Sequence, residues 1–128
     1  MQDQHFYDYA VIRIVPKVDR EEFINAGVIL FCQEKEFLES DYYLDESRLK
    51  AFSPETDTEL IKDHLEAIKA ICAGRPEAGA IAKLSKSERF HWLTTPKSTI
   101  IQVSPVHSGY CKVPAEEMHD LLRKMVKI

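Results

Sequence analysis

The hydrophobic pattern of the first third of the chain predicts three β-strands. Residues 7–15, YDYAVIRIV, are rich in β-branched and aromatic side chains and end before Pro16, as a strand would. Residues 28–33, VILFCQ, are apolar without alternation, which indicates a strand buried on both faces. The polar link at 34–36 is short enough for a hairpin into a third strand over residues 37–44.

Further along, apolar residues recur with a helical period, in residues 60–72 and again in residues 118–126. The segment Thr56-Asp57-Thr58-Glu59 matches a capping box for the first helix, with Thr56 as the cap, and Gly74 supplies its end. Pro114 suits the first position of the second helix. The sequence therefore predicts two well-marked helices.

Three shorter segments complete the prediction. We expect a short helix over residues 46–52 with Asp45 as its cap, a fourth strand over residues 99–103, and a helical turn over residues 87–93. The order of elements indicates an α+β fold. In it, a mostly antiparallel sheet of about four strands has helices packed on one face, within a single globular domain over residues 1–128.

Composition and charge place the chain in a class. Hydrophobic content of 45% and charged content of 30% are typical of a soluble globular protein. The longest apolar run, residues 28–32, is too short for a membrane helix, and the N-terminus lacks the pattern of a signal peptide. Three cysteines, an odd number without paired spacing, indicate reduced thiols. We expect a cytoplasmic protein, not bound to a membrane and without a metal or cofactor.

The charge is unevenly distributed. Residues 83–112 contain five basic residues and one acid, a net charge of +4, whereas the rest of the chain has 12 basic and 20 acidic residues, a net charge of −8. The overall charge of −4 argues against a general nucleic-acid binder. Phe90, Trp92 and Tyr110 have rings that can stack on bases, but core packing is the simpler interpretation.

Within the basic segment, cationic and hydroxyl side chains suggest an anion site. Arginine would supply a planar fork of donors, lysine a point charge, and the hydroxyl groups further donors to a phosphate. Residues 94–99 contain no glycine, so this is not a glycine-rich phosphate loop. A solvated basic surface is the alternative that the same residues allow. The candidate anion-binding residues are Arg89, His91, Lys97, Ser98, Thr99 and His107.

Metal and nucleophile chemistry have weaker support. His107, Cys111 and His119 are of the kinds that bind zinc, but a fourth ligand and a paired cysteine motif are missing. Cys32 and Cys72 lie in apolar segments, which leaves Cys111, in an expected loop, as the only candidate nucleophile. No third group is in place to orient a Cys111–His107 pair. Whether the protein is an enzyme therefore stays open.

Long segments of the chain resemble a known family. These are YDYAVIRIVP, EFINAGVILF, LDESRLKAF, HLEAIKAICAG and PEAGAIAKLSKSERFHWLTTPKSTIIQVSPVHSG. Together they resemble the bacterial family catalogued as domain of unknown function 3037, over nearly the whole chain. The resemblance implies a small bacterial cytoplasmic protein and no assigned activity. Such proteins can be encoded beside kinase-like proteins of the persistence-toxin type, so the resemblance also implies a protein partner of that kind.

Two functions remain in view. The first is a non-enzymatic binding or adaptor domain for another protein. The second is a phosphate- or nucleic-acid-directed binding protein or enzyme that uses the basic segment, residues 83–112. They differ in whether Arg89, Lys97 and His107 point into one concave pocket. The sequence does not indicate an oligomeric state.

Overall fold

Five strands form one antiparallel sheet in the structure, a computed structural model that describes residues 3–127. The strands are β1 (His5–Ile14), β2 (Ile24–Cys32), β3 (Phe37–Tyr42), β4 (Ile101–Val103) and β5 (His107–Cys111). The order is β3-β2-β1, and both β4 and β5 then pair with the free side of β1. β4 lies along residues 12–14 of β1 and β5 along residues 5–9. The predicted α+β class with an antiparallel sheet is confirmed.

Within the described residues, four α-helices pack against the sheet, largely where the sequence predicted them. They are α1 (Glu46–Phe52), α2 (Thr58–Ala73), α3 (Lys86–Leu93) and α4 (Pro114–Met125). The predicted Asp45 cap accepts a hydrogen bond from the Arg48 N–H at 3.0 Å. The cap of α2 is Asp57, one residue after the predicted Thr56. Within residues 3–127, no helix combines the length and apolarity needed to cross a membrane.

The helices divide between the two faces of the sheet, which corrects the expectation that they share one face. Ile29 and Phe31 of β2 belong to a core with α1, α2 and α3. Val28 and Leu30, which alternate with them, belong to a second core with α4. The physical reason lies in β2 itself, because a strand that is apolar on both faces needs cover on both.

The apolar stripes of the strands and helices predict that Leu65, Leu121 and Met125 meet in one core, but the structure has two cores. Leu65 packs on the α1–α3 side and Leu121 on the α4 side. Met125, expected in the core, is 37% exposed at the end of α4. The continuous apolar run of β2 already indicated a core on each face of the sheet. The apolar stripes of the helices, however, do not indicate which face each helix covers.

The connection from β4 to β5 was not predicted, and β5 was expected to be a loop. Between β4 and β5, Ser104 forms two hydrogen bonds with Val11 of β1. Its hydroxyl accepts from the Val11 N–H at 2.8 Å, and its N–H donates to the Val11 carbonyl, also at 2.8 Å. Residues 107–111, HSGYC, then continue along β1. Their polar composition lacks an alternating pattern, so pairing with β1 decides their conformation.

Candidate binding groove between α2 and β4

An apolar groove of about 430 Å³ lies where the helix layer stops short of the sheet edge. α2 packs on β3, and α3 packs on β2 and β3, so β4 at the opposite edge lies beyond their main contacts. The groove falls within the volume range of small-ligand pockets. The α2–β4 groove is lined by His64, Ala67, Ile68 and Ile71 of α2, Trp92 and Leu93 of α3, and Thr95, Lys97 and residues 99–103.

The β4 strand presents unpaired backbone to this groove. At its two ends the Val15 N–H donates to the Ile100 carbonyl and the Ser104 N–H donates to the Val11 carbonyl. In an antiparallel ladder, hydrogen-bonded positions alternate. The backbone groups of Ile101 and Val103 therefore point away from β1. No described strand pairs with that side of β4.

The Lys97 ammonium stands at the rim of the groove. It donates to the carbonyl oxygens of Trp92 at 3.1 Å and Thr95 at 3.3 Å, and it lies 4.6 Å from the centre of the Trp92 ring. Partial desolvation lowers the pKa of Lys97. These contacts hold a cation beside an apolar surface, where an anionic group on a ligand would meet it.

Trp92 belongs to the groove, whereas the sequence interpretation placed it in the core. It is 40% exposed, and Tyr110 is also exposed. Phe90 is buried as expected and stacks on Phe31 with ring centres 5.4 Å apart. Trp92 follows Phe90 by two positions in α3, so the two side chains point about 200° apart around the helix axis. That spacing is the signal in the sequence that separates the two rings.

Arg89 lies inside the protein instead of facing a ligand. It is 7% exposed, and its guanidinium donates to the carbonyl oxygens of Leu84 at 3.0 Å, Ile71 at 2.9 Å and Cys72 at 2.8 Å. The last two carbonyls belong to the final turn of α2, where the Gly74 N–H also donates to the Ile71 carbonyl at 3.0 Å. The arginine thus completes the C-terminus of α2 and supports α3 beside it.

The other candidate anion-binding residues do not converge with Arg89. Lys97 and Thr99 line the groove, and the Thr99 hydroxyl donates to the Ile101 carbonyl at 2.7 Å. His91 and Ser98 are exposed and do not line the groove. His107 lies on β5, with its ring 5.5 Å from that of Tyr9. Two of the six predicted residues therefore share the concave surface.

The three thiols are free and buried. Burial raises the pKa of Cys72 to about 12, although the nearby Arg89 charge acts against the increase. Cys111 lies in β5 and not in a loop, and burial raises its pKa as well. Such thiols are poor nucleophiles at neutral pH. Among residues 3–127, no three His, Cys, Asp or Glu side chains are grouped so that they could hold a metal ion.

Sequence reasoning missed most of the groove. Ala67, Ile68 and Ile71 follow the apolar periodicity of a helix that packs on a sheet. That periodicity is the same whether a residue packs against the sheet or lines a groove beside it. Gln102 interrupts an apolar strand and was a weak signal of an open edge. Lys97 was predicted as a ligand-binding residue because it belongs to the basic segment, residues 83–112.

Comparison with known proteins identifies a family. No curated protein and no solved structure matches the chain. One family does match, over residues 9–126, and it is described as a protein of unknown function, DUF3037. The match spans nearly the whole chain, including all of α2, α3 and β4 around the groove. The chain therefore belongs to the DUF3037 family.

Proposed function

We propose that this protein is a non-enzymatic binding domain that holds a segment of another protein in the α2–β4 groove. The observation that carries the proposal is the position of β4, an edge strand with unpaired backbone that borders an apolar groove. Apolar surface next to unsatisfied backbone groups is a combination that a protein partner can cover. The kinase-like protein implied by the family resemblance is the first partner to test.

The buried thiols favour binding over covalent catalysis, because no cysteine is placed to act as a nucleophile. The alternative function, recognition of phosphate or nucleic acid by the basic segment, has less support from the geometry. Arg89 makes three hydrogen bonds within the protein, and His107 lies outside the groove. These contacts support the groove over the basic segment as the surface for a partner.

Site-specific cross-linking in the native cell tests this function. A benzophenone amino acid at Gln102, which lines the groove, should cross-link a partner protein that mass spectrometry can identify. The matched control carries the same group at Ser47, an exposed position on α1 outside the groove. We expect the adduct from position 102 alone, and we expect Ala67→Trp, which fills the groove, to remove it.

Two results would contradict the proposed function. One is the absence of any protein adduct from position 102 in a folded, expressed variant. The other is the same set of adducts from positions 102 and 47, because non-specific cross-linking would produce it. Co-expression with a kinase-like protein of the type that the family resemblance implies is a direct second assay, in which a complex should form with the wild type and not with Ala67→Trp.

A further inference from the structure

The two lateral edges of the sheet differ in how they are protected. Natural proteins protect edge strands with charged side chains, which discourage pairing with another chain. β3, at one edge, carries Glu39 and Asp41, and Asp41 forms an ion pair with Lys69 at 3.7 Å. β4, with the sequence IQV, carries no charge. β4 is thus open to pairing in a way that β3 is not.

The outward backbone of β4 offers a defined set of hydrogen-bonding groups. The N–H groups of Ile101 and Val103 and the carbonyl of Val103 point away from β1, as the alternation of the ladder requires. The Ile101 carbonyl also points outward, but it already accepts from the Thr99 hydroxyl. An incoming strand would therefore find two donors and one acceptor, in the spacing of a β-ladder.

Charge provides a second, independent requirement on the occupant. Lys97 is the one Lys, Arg, Asp or Glu residue among those described in the lining of the groove. Within residues 3–127, it forms no ion pair with an Asp or Glu side chain. Its partners are two backbone carbonyl groups, which orient the ammonium without neutralising it. A carboxylate would supply the missing counter-charge.

We propose that the α2–β4 groove binds an extended acidic peptide segment, which adds a strand to β4 and places an Asp or Glu side chain against Lys97. This inference rests on the proposed function and specifies the chemistry of the partner. β4 has three residues, so three paired residues of the segment, about 10 Å at about 3.3 Å per residue, cover it. Alternate side chains of the segment, preferably β-branched or aromatic, point into the groove toward Ile68, Ile71 and Trp92.

Peptide selection identifies a probe without knowledge of the natural partner. A phage-displayed library of random dodecapeptides is selected on the wild type and counter-selected on Ala67→Trp. Ala51→Trp is the matched control, because Ala51 is an exposed helical alanine outside the groove. Melting temperatures establish that both variants fold. We expect peptides that bind the wild type and Ala51→Trp, with alternating apolar residues and at least one Asp or Glu.

Backbone methylation of the best selected peptide tests strand addition. N-methylation at the peptide residue that donates to the free Val103 carbonyl should weaken binding about tenfold or more, because it removes that hydrogen bond and adds a clash at the edge. Opposite Ile101, two positions along the peptide, the methyl group should weaken binding through the clash alone. N-methylation at the intervening residues should have little effect. A loss that repeats at every second residue is therefore the expected signature, whereas a bound helix would not show it.

A double-mutant cycle tests the carboxylate. Lys97→Gln should weaken binding of the acidic peptide by about three- to tenfold, as expected for a partly exposed ion pair. It should not affect the peptide in which the acidic residue is replaced by Gln or Asn. Thr95→Ala, at the same rim, is the matched control and should leave this coupling unchanged.

The results separate this inference from the proposed function. Peptides that require an open groove but show no alternate-residue effect of methylation, or no coupling to Lys97, would overturn the inference and leave the proposed function standing. If the selection yields no groove-dependent peptide, the inference is wrong, and cross-linking at Gln102 decides the proposed function separately. Concentration-dependent dimerisation that Ala67→Trp abolishes would show a second copy of the chain in the groove and would also overturn the inference.

Discussion

The Arg89 Nη1 atom lies 2.8 Å from the carbonyl oxygen of Cys72, and this contact ties α3 to the last turn of α2. The same nitrogen donates to the Ile71 carbonyl. Gly74 follows with a positive φ of 71°, and a Cβ atom there would come within 3.0 Å of Arg89 Nη1. A left-handed glycine and a buried guanidinium thus complete one helix terminus together.

Replacement of this arginine should destabilise the protein. Arg89→Ala removes a donor from the carbonyl groups of Leu84, Ile71 and Cys72, of which only Ile71 also accepts from the Gly74 N–H at the helix end. We expect a loss of about 2–4 kcal/mol in the free energy of unfolding. Arg89→Lys should recover only part of it, since an ammonium lacks the planar fork. Chemical denaturation measures both. Arg75→Ala, at an exposed site nearby, is the control, and an equally small effect at Arg89 would contradict the structural role.

Ser104 should matter for a different reason. Its hydroxyl satisfies the Val11 N–H where the neighbour of β1 changes from β4 to β5. Ser104→Ala leaves that buried donor without a partner, at a cost of about 1–3 kcal/mol. Ser98→Ala, at an exposed position of the preceding loop, should change stability by less than about 0.5 kcal/mol. If thermal or chemical denaturation gives the same small change for both variants, another group satisfies the Val11 N–H.

Two leucines of α2 test the packing of that helix. Leu65 is fully buried, whereas Leu60 is 47% exposed on the same helix. Leu65→Ala should cost about 2–5 kcal/mol, because it removes buried methyl groups and leaves a cavity. Leu60→Ala should cost less than about 0.5 kcal/mol. A loss below that value for Leu65→Ala would place the helix differently on the sheet.

The environment of Tyr7 predicts that the stability of the protein depends on pH in the alkaline range. Its hydroxyl donates to Glu117 Oε2 at 2.7 Å, and burial, followed by this bond to a carboxylate, raises the pKa of Tyr7 above its ordinary value. In the unfolded chain the phenol loses its proton near pH 10, whereas in the folded protein it keeps it to higher pH. The folded state then holds one more proton, so stability falls as the pH rises above about 10.

The test compares the wild type with Tyr7→Phe. At pH 7 the variant should be less stable by about 1–2 kcal/mol, because it lacks the hydrogen bond to Glu117. The difference should shrink as the pH rises above about 10, since only the wild type has this phenol to ionise. Tyr110→Phe, at a largely exposed position, is the control. A constant difference from pH 7 to pH 11 would argue against the coupling of Tyr7 to Glu117.

Local signals in the sequence predicted several elements well. The unbroken apolar run of β2 indicated burial on both faces, and Ile29 and Leu30 do lie in opposite cores. Asp45, Gly74 and Pro114 marked helix ends because capping and backbone freedom depend on residues close in sequence. Such features are determined locally, and the sequence is sufficient for them.

Other features required contacts between distant residues. β5 is a strand because β1 offers an edge to HSGYC, not because of its own pattern. The sequence presented Arg89 and Lys97 as similar cations, yet the end of α2 buries one while the other stays at the rim of the groove.

By itself, the sequence determined the fold class, most helix ends and the burial of β2, since hydrophobic period and capping act over a few residues. Only the tertiary structure decided which face each helix covers, where β4 is left open and which basic residue can meet a ligand. Those outcomes depend on packing between segments that are far apart in the chain, and no local sequence pattern encodes that packing.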